Sequence, residues 1–178
     1  QADIMFGGDT ATYMLLQSEG CYEPTQPEWA GDLGDAYKDA DGYWYGTYKT
    51  PVVMFYNTDK MTAEDAPKDW SNLVEEKYAG QIITRDSLSS SMRSTVAALV
   101  SYYTANDSEE AAWDFVKGLS ANTKNYYNSG SMMFQAIGKG EASVGIAVLD
   151  NIIDNRDNND MPLEIIDAES GAITITDC

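Results

Sequence analysis

Three hydroxyls and a guanidinium crowd one short stretch of this chain: Ser89-Ser90-Ser91, then Arg93. Small hydroxyl donors beside a positive charge are suited to gripping an anion. Two elements must position them. Ile82-Ile83, bounded by Gly80 and Asp86, predicts a short buried strand, and Met92, Val96, Leu99 and Val100 recur at helical spacing. The serine turn therefore lies between the carboxyl end of a strand and the amino end of a helix. Open α/β sheets bind ligands there, and unpaired N–H groups and the helix dipole favour negative charge. One serine suffices to cap a helix. Three in a row exceed that need, so a ligand-facing turn is expected.

Composition narrows the chemistry. The chain has 178 residues, 43% of them hydrophobic, and a formal charge of −18 with no histidine. That is enough for one folded domain, or one lobe of a larger protein. An acidic chain without a basic face is not expected to bind nucleic acid. The lack of histidine excludes a histidine-ligated metal and a histidine general base, and nothing calls for a cofactor. Cys21 and Cys178 cannot form a CxxC motif; two free cysteines are expected, with a disulfide between them as the alternative. No apolar run approaches the roughly 20 residues of a membrane span. The chain starts with Gln1, and its first and last segments read as strands in progress, so a trimmed piece of something longer is expected.

Along the chain, Ala2–Phe6 is a strand candidate. Gly7-Gly8-Asp9-Thr10 reads as a second strand-to-helix turn, with Asp9 or Thr10 capping a helix to Ser18 that Gly20 stops. Residues 23–42 read as irregular; Asp39-Ala40-Asp41-Gly42 lacks the ligand spacing of a calcium loop. The aromatic and β-branched run Tyr43–Asn57 predicts extended chain, with its rings either packed inside or stacked on a ligand. A short helix carries Trp70, Leu73 and Val74. Another over 109–119 buries Ala112, Trp113, Phe115, Val116 and Leu119. Tyr126-Tyr127 ends a brief strand before a third turn at Ser129-Gly130-Ser131. Strands over 141–149 and 163–166 follow, with Asp150 directly after the first. Strands alternating with helices predict an α/β fold with a mostly parallel sheet.

Four pieces, in this order, resemble the bacterial ABC-transporter solute-binding proteins of the ferric-iron, phosphonate, thiamine and sugar-phosphate branch. They are Ala2-Asp3-Ile4 with Gly7-Gly8 and the segment Gly20 to Pro24, then Gly42-Tyr43-Trp44-Tyr45-Gly46 leading to Phe55-Tyr56-Asn57. Next comes Pro67-Lys68-Asp69-Trp70 with Tyr78-Ala79-Gly80-Gln81-Ile82, and last Gly138-Lys139-Gly140-Glu141-Ala142 running to Val144-Gly145-Ile146. The resemblance implies a periplasmic-binding-protein-like fold of type II, with a lobe of mostly parallel sheet flanked by helices and remnants of a second lobe. The implied division is 1–57 for part of the first lobe and a crossing strand, 58–145 for the second α/β lobe, and 146–178 for the return crossing.

The resemblance also implies a ligand site in the cleft. Gly8, Asp9 and Thr10 match the first-lobe turn, and Tyr56 and Asn57 match the crossing segment. Ser89, Ser90 and Ser91 match the second-lobe turn that holds phosphate-like groups in anion receptors, and Ser129 and Ser131 match the next turn. Asp150 stands where sugar-phosphate-like members carry an acid; it is otherwise a solvated helix cap. Iron-binding members place adjacent tyrosines after this strand, where this chain reads Ala147-Val148-Leu149-Asp150-Asn151. The expected function is therefore capture of a small anionic solute, phosphorylated-sugar or phosphonate-like, for a membrane permease of an ABC importer. The protein would work outside the cytoplasm, in the periplasm or lipid-anchored at the cell surface. Ferric iron is the alternative. A serine hydrolase would need a base from Lys60, Lys77 or Lys124, and the chain has no G-x-S-x-G elbow. A trimmed lobe with exposed surface would favour a packed or swapped dimer.

Overall fold

The structure, a computed structural model, describes residues 3–178. They group into two compact units, one up to Thr50 with Thr174–Cys178, the other Pro51–Ile173.

In the first unit, helix α1 (Thr10–Ser18) is capped by Asp9, whose carboxylate accepts from the Thr12 N–H (3.0 Å) and the Thr12 hydroxyl (2.6 Å). The chain reaches this helix through Gly7 and Gly8, at φ +90° and +102°, a backbone region that disfavours other residues. Tyr13, Trp44 and Cys178 form its small core. Strand β6 (Ile173–Asp177) pairs with β1 (Tyr48–Asn57), and the Thr50 hydroxyl donates to the Asp177 carboxylate. Residues 3–6 do not form the expected strand: no sheet neighbour pairs with them, and Ile4 and Phe6 stand exposed. Ala2 lies outside the described residues.

The second unit is built on a sheet of order β3-β2-β4-β1-β5, flanked by helices as expected. Its strands are β2 (Ile82–Arg85), β3 (Thr123–Tyr127), β4 (Val144–Val148) and β5 (Leu163–Ile166), beside β1. The sheet is mixed rather than mostly parallel. β2 runs parallel to β3 and β4, whereas β1 runs antiparallel to β4 and β5. No single crossover helix joins β1 to β4 or β5 in sequence, so antiparallel pairing is open to it.

The helices follow from the connections. From β2 the chain crosses to β3 through α2 (Ser90–Asn106) and α3 (Glu109–Asn122). It then crosses back over β2 to β4 through α4 (Gly130–Gly138). Right-handed crossovers in opposite directions put their helices on opposite faces. The contacts agree. Phe55, Ile83, Phe134, Ile137 and Ile152 share one core, whereas Thr84, the next residue of β2, bonds Met92 of α2 at 3.0 Å. A fifth helix, α5 (Leu149–Asp157), leaves β4 on the α4 side. In α3 the buried residues are Ala112, Phe115, Leu119 and Asn122; Trp113, expected inside, is 48% exposed at the margin of that face.

Candidate functional site

Because β2, β3 and β4 are parallel, the helices that follow them begin at the same end of the sheet. The first residues of α2, α4 and α5 therefore converge. Between them lies a small cavity of ≈ 30 Å³ with an apolar floor, Val52, Met133 and Ile146. Its polar lining is Arg85, Ser91, Thr95 and Asn151, and Gly130 lines it too. Neither α4 nor α5 carries a side-chain cap, so their first N–H groups are not taken up by Ser129 or Val148.

Arg85 is the residue that the sequence-based reading missed. It ends β2 on the α4 face, and main-chain carbonyls hold it in place: Nε donates to Tyr127 O at 3.1 Å and an Nη to Asn128 O at 2.9 Å. A Cβ on Gly130 would lie 3.4 Å from its other terminal nitrogen, so glycine keeps that nitrogen open. Among the described residues Arg93 likewise donates only to carbonyls, those of Ser87 and Leu88. Among the described residues neither arginine forms an ion pair, although the chain has 29 acidic residues against 11 basic ones. No carboxylate lines the cavity. A guanidinium not neutralised by a carboxylate, next to free N–H groups, is an anion-accepting arrangement.

The serines divide their work. Ser89 is buried and caps α2, its Oγ accepting from Met92 N at 3.4 Å and lying 3.0 Å from Ser91 Oγ. Ser90 is exposed on the first turn, and Ser91 reaches the cavity. The other candidates are scattered. Tyr56 is buried on β1 and lines none of the cavities described. Asn57 is buried and occupied, its Nδ2 donating to Ile137 O at 2.6 Å and its Oδ1 accepting from Asp59 N at 2.8 Å. Ser129 precedes α4 without a side-chain cap, only its carbonyl accepting from Met133 N at 3.1 Å. Ser131 lines a neighbouring hollow. Asp150 is exposed on the first turn of α5, where a carboxylate suits the helix dipole, and its neighbour Asn151 faces the cavity instead. Gly8, Asp9 and Thr10 belong to the first unit, where Thr10 Oγ1 donates to Thr176 O at 2.9 Å.

The paired tyrosines point to opposite sides of the sheet, as strand alternation requires. Tyr126 OH bonds Ser120 Oγ at 3.1 Å and Tyr127 OH bonds Glu141 at 3.2 Å. Neither lines the cavity. Cys21 is exposed and Cys178 buried, and both are free.

The fold has known counterparts. A probable ABC transporter periplasmic-binding protein of Sinorhizobium fredii is 29% identical over 99% of this chain. The chain spans about half of that relative's length, the match covering 50% of it. Among solved structures, the apo ferric ion-binding protein A of Pasteurella haemolytica superposes with a TM-score of 0.82 at 18% identity. The match covers 99% of this chain and 57% of that one. The periplasmic binding protein AfuA of Actinobacillus pleuropneumoniae, solved with fructose-6-phosphate bound, gives 0.80 at 23% identity over 99% and 57%. The likeness shows the type II periplasmic-binding-protein fold. The model of the family described as bacterial extracellular solute-binding protein matches residues 2–178, and this chain belongs to that family.

Proposed function

We infer that the chain is part of a receptor that captures a small anionic solute, phosphorylated-sugar or phosphonate-like, for an ABC importer. The observation that carries this reading is Arg85, fixed by two carbonyls at a cavity with no carboxylate in a chain of charge −18. Ser91, Asn151 and the uncapped starts of α4 and α5 supply neutral donors around it. Ser90 and Asp150, and in the first unit Gly8, Asp9 and Thr10, are carried in the same proposed contact set. Tyr56 and Asn57 are assigned to the crossing segment. The 1–57, 58–145 and 146–178 division belongs to the same reading. The permease would recognise the ligand-bound conformation, so affinity rests on contacts that exist only on closure. A place outside the cytoplasm goes with the family.

Ferric iron is the second reading, because several structural counterparts are ferric-binding proteins. The tyrosine pair argues against it here, since its phenols are committed to Ser120 and Glu141 on opposite faces. An enzyme is disfavoured by the serines: Ser89 and Ser91 bond one another, and no lysine lines the cavity. The test is calorimetric titration of the full chain with inorganic phosphate, a sugar phosphate, an aminoalkyl phosphonate and ferric citrate. Binding of the phosphorus anions and its loss in Arg85→Met supports the reading. Binding of ferric iron alone, unaffected by Arg85→Met, overturns it.

A further inference from the structure

Beside the arginine cavity a larger hollow of ≈ 450 Å³ runs between α4 and α5. The two share Gly130, Phe134 and Asn151, so they are contiguous. Their chemistry is opposite. The cavity has an arginine and no carboxylate. The hollow has no cation, and its walls are Ser131 and Gln135 of α4 with Asn151, Asp154 and Asn155 of α5. Side-chain amides offer donors and acceptors together, the complement of a row of hydroxyls, whereas an anion would find no charged partner there. Two of these groups are pre-set. Asn155 Nδ2 donates to Asn151 O at 2.8 Å, and Asp154 accepts from Asn158 Nδ2 at 2.8 Å. Among the described residues the side chains of Ser131, Gln135 and Asn151 make no hydrogen bond, which leaves them available. The volume falls within the roughly 300–1,000 Å³ usual for small-ligand sites, whereas the cavity alone holds little more than one small group.

We propose that cavity and hollow are two ends of one site, and that the hollow is a hydroxyl-binding subsite whose Gln135 and Asn155 select a polyol attached to the anion. The inference rests on the anion reading of Arg85 given above. It names a phosphorylated polyol of about hexose size as the solute, with its charged end at Arg85 and its hydroxyls along the α4–α5 trough.

The test is titration calorimetry on the full chain and on Gln135→Leu and Asn155→Leu, with Arg85→Met as the control. Both leucine variants keep a good helix former on an exposed helix face, and a thermal melt checks that each stays folded. The probes are inorganic phosphate, glycerol 3-phosphate, a hexose 6-phosphate and 2-aminoethylphosphonate. Wild type should bind hexose phosphate at least about tenfold more tightly than inorganic phosphate. Each leucine variant should lose roughly two- to tenfold for hexose phosphate, about one net hydrogen bond, with phosphate unchanged. Equal affinity for phosphate and hexose phosphate sinks the subsite and leaves the anion reading standing. So does an equal fall for both probes in the leucine variants, or a preference for the aminoalkyl compound. If wild type binds none of the phosphorus anions, the anion reading fails and the subsite with it.

Discussion

The ring of Phe55 fills the space that a side chain at Gly145 would need. The two residues face each other across the β1–β4 ladder, and a Cβ on Gly145 would fall 2.5 Å from Phe55 Cε1. Phe55 is fully buried and stacks on Phe134 at 5.4 Å between centroids, so it has nowhere to move. Gly145→Ala should therefore destabilise the second unit by at least about 1–3 kcal/mol, the usual cost of overpacking a core. A urea melt checks this; a change within 0.5 kcal/mol, the scatter expected of a surface substitution, would show that the sheet adapts.

Arg85 sets the second prediction. Charge-assisted hydrogen bonds are worth roughly 1.5–3 kcal/mol, so Arg85→Met should weaken phosphate-type ligands by about tenfold or more. Arg85→Lys should rescue only part, because an ammonium cannot span the Tyr127 and Asn128 carbonyls and still reach the cavity as a fork does. Arg156→Met, which removes an exposed pair with Asp157 and Glu164, should leave affinity unchanged. Equal losses at both arginines would point to general charge rather than a site.

Asn57 separates packing from recognition. Asn57→Ala strips a partner from the Ile137 carbonyl and the Asp59 N–H. Gly140 N still donates to the Ile137 carbonyl at 2.9 Å and Asp59 is exposed, so the loss is that of two net hydrogen bonds, about 1–3 kcal/mol in all, and the melting midpoint should fall. The folded variant should bind its ligand with wild-type affinity. A selective loss of affinity with the midpoint intact would return Asn57 to the ligand.

Asp69 links stability to pH. Burial pushes its carboxyl up, but the hydroxyl and N–H of Ser170, with Trp70 N–H and Ser71, outweigh this and hold it below its ordinary value. A depressed carboxyl stabilises the fold above its unfolded pKa, about 3.9, and loses that contribution as pH falls through the lower folded value. The stability gap between wild type and Asp69→Asn should thus be full near neutrality and shrink in acid. Denaturant midpoints near pH 6 and pH 3 would show it. A gap that does not change with pH would mean that Asn replaces the carboxylate as an acceptor.

The two thiols should differ in rate. Burial pushes the Cys178 thiol up, against the Thr10 hydroxyl that lowers it, whereas Cys21 is exposed. Thiolate is the reactive form, so a disulfide-exchange reagent should find one fast thiol in the folded protein and two after denaturation. Two fast thiols would mean that the Tyr13–Trp44–Cys178 core opens readily.

Much of this was legible in the sequence. Asp9 before an apolar helix, the serine turn after Ile82-Ile83, and glycine within a buried strand at 145 each have a local cause that the chain displays. Strand alternation also separates Tyr126 from Tyr127. Arg85 was not legible as a site residue, because its role depends on α4 crossing back over β2 and bringing Gly130 against it, a relation set by topology. Asn151 was hidden by Asp150: one residue of helical rotation decides which of the two faces the cavity. Asn57 matched a family motif, yet its amide is consumed by the neighbouring backbone. Trp113 shows the limit of periodicity, since a large side chain at the edge of a helical stripe can lie half outside.

The two arginines held by main-chain carbonyls have a kinetic consequence. An anion approaching a chain of charge −18 is repelled at long range. It meets the attraction of Arg85 and Arg93 only within about a Debye length, ~10 Å at 0.1 M salt. Added salt weakens the distant repulsion more than the contact in the partly enclosed cavity. Capture should therefore speed up with ionic strength, opposite to the usual behaviour of an electrostatically steered pair, and the rate-limiting barrier lies outside the pocket.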